Sequence, residues 1–242
     1  ITFTIKKGKY MIGLGTAINI GLIIAGSLCG LAFGRFMKEN LKQTLMMVSG
    51  IIVLLLGMSG AMQYMLVIVN GTLQTTGPML MIISMVAGAV IGELIDLNRW
   101  ITVFGDWVKA KTGNTGDPQF THAFITASLT FTVGAMGVLG SIQDGLTGNY
   151  QTLLLKGILD GIIVMVMVSS MGKGALFSFI PVGITQWIIT AMAHIAAPLM
   201  TPSAIDNLSY VGSILIFCVG IDLIWPGKIR IANLLPAIFV AM

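Results

Sequence analysis

Long apolar runs, broken by short polar segments, dominate the chain. Seven runs are long enough to cross a bilayer: Met11 to Gly34, Thr44 to Val69, Pro78 to Leu97, Phe120 to Ser141, Thr152 to Met171, Leu176 to Ala197 and Leu208 to Trp225. A backbone in hydrocarbon must satisfy its own hydrogen bonds, and runs without alternating polarity favour helices over barrel strands. The pattern predicts an all-α polytopic membrane bundle of about seven transmembrane helices.

The two ends of the chain depart from this pattern. The segment Ile231 to Met242 contains Pro236 and would span only about 18 Å as a helix, so we predict a half-span or an interfacial cap. The segment Ile1 to Tyr10 is basic and β-like, and a clean apolar run begins only at Met11. We therefore interpret residues 1–10 as a leader or expression remnant and residues 11–242 as a single transmembrane domain.

Basic residues follow alternate apolar runs. They are Arg35, Lys38, Lys42, Arg99, Lys109, Lys111, Lys173, Lys228 and Arg230. Short loops rich in Lys and Arg remain cytoplasmic, which predicts an outside N-terminus and an inside C-terminus. Only Lys6, Lys7 and Lys9 disagree, and this is a second reason to set residues 1–10 apart.

The segment between the third and fourth runs has two distinct helical faces. One face carries Trp100, Val103, Phe104 and Trp107, and the other carries Arg99, Thr102, Asp106 and Lys109. This periodicity predicts an amphipathic helix lying on the cytoplasmic leaflet, with a partner-docking or lid helix as the alternative.

Composition agrees with a membrane protein. Of the 242 residues, 56% are hydrophobic and only 9% are charged, whereas soluble domains carry about 25% charged residues. This excludes a soluble globule and a disordered chain, and makes the lipid bilayer the main partner. The net charge is +4, but the basic residues form no tract suited to binding nucleic acid. Cys29 and Cys218 lie within apolar runs, so they do not indicate a disulfide framework or a metal cluster.

Asp160 is the strongest candidate functional residue. It falls near the middle of the fifth run, with Lys156 one turn away on the same helical face. An ionisable group at that depth costs at least about 2.5 kcal/mol and persists where it faces a protein interior. The two residues could form a neutralising structural pair, an ion-binding site, or both.

Other polar residues fall into two layers. Asn19, Thr130 and Gln186 lie at a depth similar to that of Asp160, where they could bind a ligand or form interhelical hydrogen bonds. Nearer the predicted cytoplasmic side lie Glu93, Asp96, His122 and Asp222, of which Glu93 or Asp222 could guard the cytoplasmic exit of an ion site. We expect Asp96 and His122 to reach the interface, and His194 to be solvated or bonded to the backbone near the outer end of its span.

Glycine and proline patterns indicate close packing or helix breaks. Gly26, Gly30 and Gly34 form a small-residue ridge that favours tight packing and suggests a homodimer or larger assembly. Gly134, Gly137 and Gly140 recur at every third position, which predicts either close helix contact or a partly unwound segment lining a cavity. Pro181 predicts a kink in the sixth span.

These features favour transport over catalysis. The sequence contains no Ser-His-Asp arrangement, metal-ligand cluster or phosphate-binding loop, so we expect no enzymatic activity and no cofactor. The leading hypothesis is a small secondary transporter or ion-conducting protein for a cation or a small cationic solute. The alternative is a non-transporting scaffold, or a sensory or assembly protein, whose buried charges are structural.

Several local motifs also carry a family resemblance. They include Met11-Ile-Gly, Gly92-Glu93, the run from Gly137 to Asn149, Asp160-Gly161 and the run from Lys228 to Pro236. Together they resemble the YdfK/YqgA-like bacterial inner-membrane family, a domain of unknown function, from Met11 to the C-terminus. The resemblance implies a multi-pass protein of the bacterial cytoplasmic membrane. It implies no substrate or activity.

Overall fold

The computed structural model describes residues 11–133, 135–199 and 201–242. The predicted leader at residues 1–10 and Gly134 of the glycine pattern lie outside the described residues. The helices are α1 Leu14–Gly34, α2 Glu39–Met65, α3 Pro78–Ile95, α4 Leu97–Lys111, α5 Phe120–Thr132, α6 Ala135–Thr147, α7 Gln151–Met171, α8 Phe179–Ala191, α9 Ala193–Ala196, α10 Pro202–Ile224 and α11 Pro236–Ala241. Short 3-10 segments occupy Lys173–Ser178, Ala197–Leu199 and Ile231–Leu234.

The helices form the predicted all-α bundle. Within the described residues, six helical segments are long and apolar enough to cross a membrane: α1, α2, α3, α7, Lys173–Ala191 and α10. The pair α5 and α6 meets the same criterion only when taken together. The C-terminal tail is short, as predicted, and consists of a 3-10 turn followed by α11.

The second span ends earlier than predicted because a β-hairpin follows it. Strand β1, Leu66–Val69, pairs antiparallel with β2, Thr72–Thr75. Asn70 and Gly71 connect the strands, and both have positive φ values, of 51° and 77°. Asn-Gly with two positive φ angles is the preferred two-residue hairpin turn, and β-branched residues before it favour a strand. The prediction of helix as far as Val69 was therefore wrong.

The fourth span is broken. The sequence predicted one helix from Phe120 to Ser141, but α5 ends at Thr132, Val133 is extended, and α6 is inclined to α5 by 61°. Both predicted consequences of the glycine pattern occur here. The helix is interrupted, and Gly140 also contacts α7, since a Cβ there would lie 2.8 Å from the Leu153 side chain.

Two other boundaries also differ from the sequence prediction. Pro181 is the third residue of α8, where a helix needs no backbone N–H donor, and the irregular segment is the 3-10 turn before α8. The last span begins at Pro202 and not at Leu208. There the Ala204 backbone N–H donates to Thr201 Oγ1 at 3.2 Å, a side-chain cap that the apolar pattern did not reveal.

The amphipathic helix is confirmed as α4. Trp100, Val103 and Trp107 are exposed on one face, while Gly105 and Val108 pack against the bundle. The exposed apolar face is suited to a lipid surface. Its location on the cytoplasmic leaflet stays a prediction.

Glycine contacts define how the long helices pair. Contacts between α1 and α7 advance together along both helices: Gly15 with Leu153, Gly26 with Gly161, Gly30 with Met165 and Gly34 with Ser169. These two helices are therefore parallel. Contacts between α2 and α10 run in opposite directions: Gly50 with Ile224, Gly57 with Phe217 and Gly60 with Ser213. These two helices are antiparallel.

The glycine ridge on α1 is occupied within the chain. A Cβ on Gly26 would lie 2.1 Å from the Gly161 carbonyl oxygen, and one on Gly30 would lie 2.4 Å from the Met165 carbonyl oxygen. Only glycine permits this backbone approach. The ridge serves internal packing, so it does not support the expected homo-oligomer.

Candidate functional site

The predicted pair on α7 is formed and buried. The Lys156 ammonium donates to the Asp160 carboxylate, and the exposed fractions of the two side chains are 8% and 9%. Removing two charges from water is costly, and only direct pairing with further hydrogen bonds offsets that cost. The pair is therefore a desolvated ionic interaction within a membrane-spanning helix.

The same ammonium also binds the end of the broken helix. Lys156 Nζ donates to the Phe131 carbonyl oxygen at 2.9 Å. Phe131 lies in the last turn of α5, whose carbonyls have lost their intrahelical partners, and such a helix end carries a partial negative charge. Lys156 thus joins two kinds of oxygen, a carboxylate of α7 and a free carbonyl at the break. Sequence reasoning missed this carbonyl because the glycine pattern predicted an unwound segment only as one of two alternatives and did not indicate where the helix would end.

A cavity of about 320 Å³ adjoins the pair. Helices α2, α5, α6, α7 and α10 line it, and their polar members there are Gln63, Tyr64, Thr130, Lys156, Asp160, Ser209 and Ser213. Thr130 therefore joins the pair as predicted, although its hydroxyl also donates to the Thr126 carbonyl oxygen at 2.7 Å. The sequence analysis did not single out the polar residues from α2 and α10 as site residues, because they are uncharged residues within apolar runs.

Asn19 and Gln186 approach the pair from two different helices, α1 and α8. Asn19 of α1 is fully buried beside α7. A Cβ added at Gly157 would lie 3.1 Å from Asn19 Oδ1. The Asn19 side chain interacts with the Asp160 carboxylate, and Gln186 Oε1 forms no hydrogen bond among the described residues. A Cβ on Gly137 would lie 3.3 Å from Lys156 Cε and 3.9 Å from Gln186 Nε2. The absent side chain at Gly137 therefore lets both the lysine stem and Gln186 approach the α6 backbone.

A second cavity, of about 450 Å³, lies at one end of α5. It contains His122 and Asp222, whose Nε2 and Oδ2 atoms are 3.3 Å apart, and the Gly227 backbone N–H donates to the other Asp222 oxygen at 2.8 Å. Sequence reasoning predicted both residues at this level but did not pair them, because they lie on different helices. Their α5 neighbours Thr126 and Leu129 lead from this cavity towards Thr130.

The remaining predicted residues lie elsewhere. Glu93 accepts a hydrogen bond from Arg230 at 2.8 Å, and both side chains are at least half exposed, so Glu93 does not join the buried pair. Asp96 has a φ of 52°, and its carboxylate accepts from the Arg99 backbone N–H at the start of α4. Asp96 is therefore a helix cap. His194 is exposed, as expected.

Asp144 is a buried acid that the sequence analysis did not single out. It is fully buried on α6, where Oδ2 accepts from the backbone N–H groups of Gly15 and Thr16 at 3.1 and 3.4 Å. It thereby caps the first turn of α1, whose own capping residue Gly13 has no side chain. The only sequence signal was an acid at the end of a glycine-rich span, and its partner lies more than a hundred residues away.

Comparison with known proteins agrees with this membrane architecture. A family described as "Protein of unknown function (DUF554)" matches residues 14–242. The chain belongs to the DUF554 family. It is 28% identical over 227 residues to "Uncharacterized membrane protein YdfK" of Bacillus subtilis (strain 168), covering 93% of each chain. It is 24% identical over 237 residues to "Uncharacterized protein YqgA" of Escherichia coli (strain K12), covering 95% of this chain and 94% of that one.

No solved structure matches the chain. The family match confirms the resemblance carried by the sequence motifs. With its apolar helices, it identifies a multi-pass membrane protein.

Proposed function

We propose that this protein is a secondary transporter or ion-conducting protein that carries a monovalent cation or a small cationic solute past Lys156 and Asp160. The observation that carries the proposal is the position of this buried pair. It lies at the break between α5 and α6 and borders a 320 Å³ cavity. Transporters place ion sites at interrupted helices, where unwound carbonyls and helix ends supply ligands.

The chemistry of the site favours a small charge. Asp160 is the one carboxylate lining the cavity, and the described residues hold no group of three His, Cys, Asp or Glu side chains that could bind a metal ion. A single carboxylate with carbonyl and hydroxyl oxygens suits a monovalent cation better than a divalent one. In this proposal the protein moves its substrate unchanged and performs no enzymatic reaction.

Helix pairing supports a seven-crossing topology in which α5 and α6 together cross the membrane once. Two parallel helices must be separated by an odd number of crossings, and α2 and α3 supply only two between α1 and α7. The broken pair supplies the third. Because α2 and α10 are antiparallel, an even number of crossings must separate them. Counting α5 and α6 as one crossing satisfies this requirement as well. With positive loops inside, the N-terminus is outside and the C-terminus is in the bacterial cytoplasm.

A flux assay with Asp160→Asn tests the function. The substitution keeps the shape and an oxygen acceptor but removes the charge that would bind a cation. In proteoliposomes we expect cation flux to fall to the level of protein-free vesicles, while the protein still assembles. Asp206→Asn is the matched control, because Asp206 is exposed at the start of α10, and it should transport like wild type.

The competing scaffold function predicts a different result. If Lys156 and Asp160 are only a structural pair, Asp160→Asn should change stability alone, and neutralising Lys156 as well should restore it. Wild-type flux in a folded Asp160→Asn protein would contradict the transport proposal.

A further inference from the structure

We propose that Lys156 is a tethered cation that occupies the transport site, so that each monovalent cation enters only when the Lys156 ammonium releases one proton. This inference rests on the proposed function and specifies its coupling. The site would exchange a cation for a proton, one for one.

The first argument is that Lys156 holds the oxygens that a cation would need. Its ammonium binds the Asp160 carboxylate and the Phe131 carbonyl oxygen, the latter at 2.9 Å. A carboxylate and a carbonyl at an unwound helix end are the ligands with which membrane transporters bind small cations. A cation and the ammonium therefore compete for the same atoms.

The second argument is charge balance. Lys156 and Asp160 together are neutral, and both are buried. Adding a cation beside a charged ammonium would place two positive charges on one carboxylate in a poorly solvated site, where they repel strongly. Release of one proton removes this excess. The step balances as Lys156–NH₃⁺ with Asp160–COO⁻ plus M⁺ giving Lys156–NH₂ and M⁺ bound to Asp160–COO⁻, plus H⁺ passed to water.

The neighbouring ionisable groups do not compensate for an added charge. Within the described lining of the cavity, the only one besides the pair is Tyr64, contributed by α2. From α1 comes the uncharged Asn19, and from α10 come Ser209 and Ser213.

More distant charged groups are engaged elsewhere. Asp144 of α6 is bound to the first turn of α1, and His122 of α5 is paired with Asp222 in the second cavity. Lys173, in the 3-10 segment packed against the far end of α7, is about 25 Å along the helix from Lys156. The proton exchanged at the site must therefore come from the pair itself.

The lysine stem has room to move. It passes Gly137 of α6, where a Cβ would lie only 3.3 Å from Lys156 Cε, and the adjoining cavity opens beside it. The cavity therefore offers the ammonium a space into which it can move when it leaves the carboxylate.

The exchange is tested in proteoliposomes with three proteins: wild type, Lys156→Arg and Lys156→Met. The vesicles contain a pH dye, and Na⁺, K⁺, Li⁺ or guanidinium is supplied outside in turn. In wild type, entry of one cation should alkalinise the lumen by one proton, and the rate should not change when the membrane potential is clamped at different values. Lys156→Arg keeps a positive charge that cannot be deprotonated, so it should fold but lose cation flux at least tenfold. Lys156→Met removes the charge, so cation flux should continue without proton movement and should follow the membrane potential.

Matched controls are Lys111→Arg and Lys111→Met on the exposed end of α4, which should behave like wild type. Wild-type cation flux without proton movement would overturn the exchange but leave the proposed function standing. Exchange of cations for protons by Lys156→Arg at the wild-type rate would also overturn the exchange proposal. If the folded wild-type protein carries none of these cations, the proposed function fails and the exchange fails with it.

Discussion

The stability of the Lys156 and Asp160 pair can be worked out from its burial. Asp160→Asn leaves the Lys156 ammonium with two neutral oxygen acceptors, the Phe131 carbonyl and the new amide, but without a counter-charge. Breaking a buried pair by removing one partner costs about 3–5 kcal/mol, because an uncompensated charge stays desolvated. Since an oxygen acceptor remains, we expect the lower end, about 3 kcal/mol, for Asp160→Asn.

The double variant separates the value of the pair from the cost of an orphaned charge. Lys156→Met with Asp160→Asn removes both charges and keeps similar volumes, and such replacements are often neutral or stabilising. We therefore expect the double variant to unfold within about 1 kcal/mol of wild type, which corresponds to a coupling energy of at least about 2 kcal/mol between the two positions. The measurement is the free energy of unfolding in lipid bicelles, from denaturant titration followed by tryptophan fluorescence.

The exposed pair formed by Glu93 and Arg230 provides an internal reference. Its side chains are 50% and 64% exposed, so water already solvates both charges. The same cycle with Glu93→Gln and Arg230→Met should give a coupling of no more than about 1 kcal/mol. If the cycle at Lys156 and Asp160 gave an equally small value, the claim that this pair is desolvated would be wrong.

Two further predictions concern packing and topology. Gly26→Ala should destabilise the protein by about 1–3 kcal/mol, because its Cβ would meet the Gly161 carbonyl at 2.1 Å, whereas Gly21→Ala on the same helix meets nothing within 4 Å and should be neutral or stabilising. Thermal unfolding compares the two. Single cysteines in the hairpin turn and in the loop between α6 and α7 should react with an impermeant thiol reagent from outside the cell. Protection of both loops would overturn the predicted orientation, and protection of only one would contradict the seven-crossing topology.

The sequence alone was sufficient to identify the chain as a membrane protein and to identify Lys156 and Asp160 as the central pair. Helical spans follow from the length of each apolar run, and an acid at mid-span with a lysine one turn away is a local pattern on α7. The amphipathic α4 was predictable for the same reason. Each of these features depends only on residues within one or a few helical turns.

The hairpin and the helix caps depended on shorter signals that the apolar pattern obscured. The Asn70-Gly71 turn is present in the sequence, but the apolar run before it also fits the end of a membrane span. Competing local preferences decide such boundaries, and one or two residues can shift them.

Only the tertiary structure decided what surrounds the pair. The free Phe131 carbonyl exists because α5 ends at the break, and it meets Lys156 because α7 packs there. Asp144 caps α1 from a different helix. Gly26 faces Gly161, so the ridge that suggested an oligomer is used inside the chain. These contacts join residues distant in sequence, and they depend on which helix faces pack together, which the periodicity of a single helix does not specify.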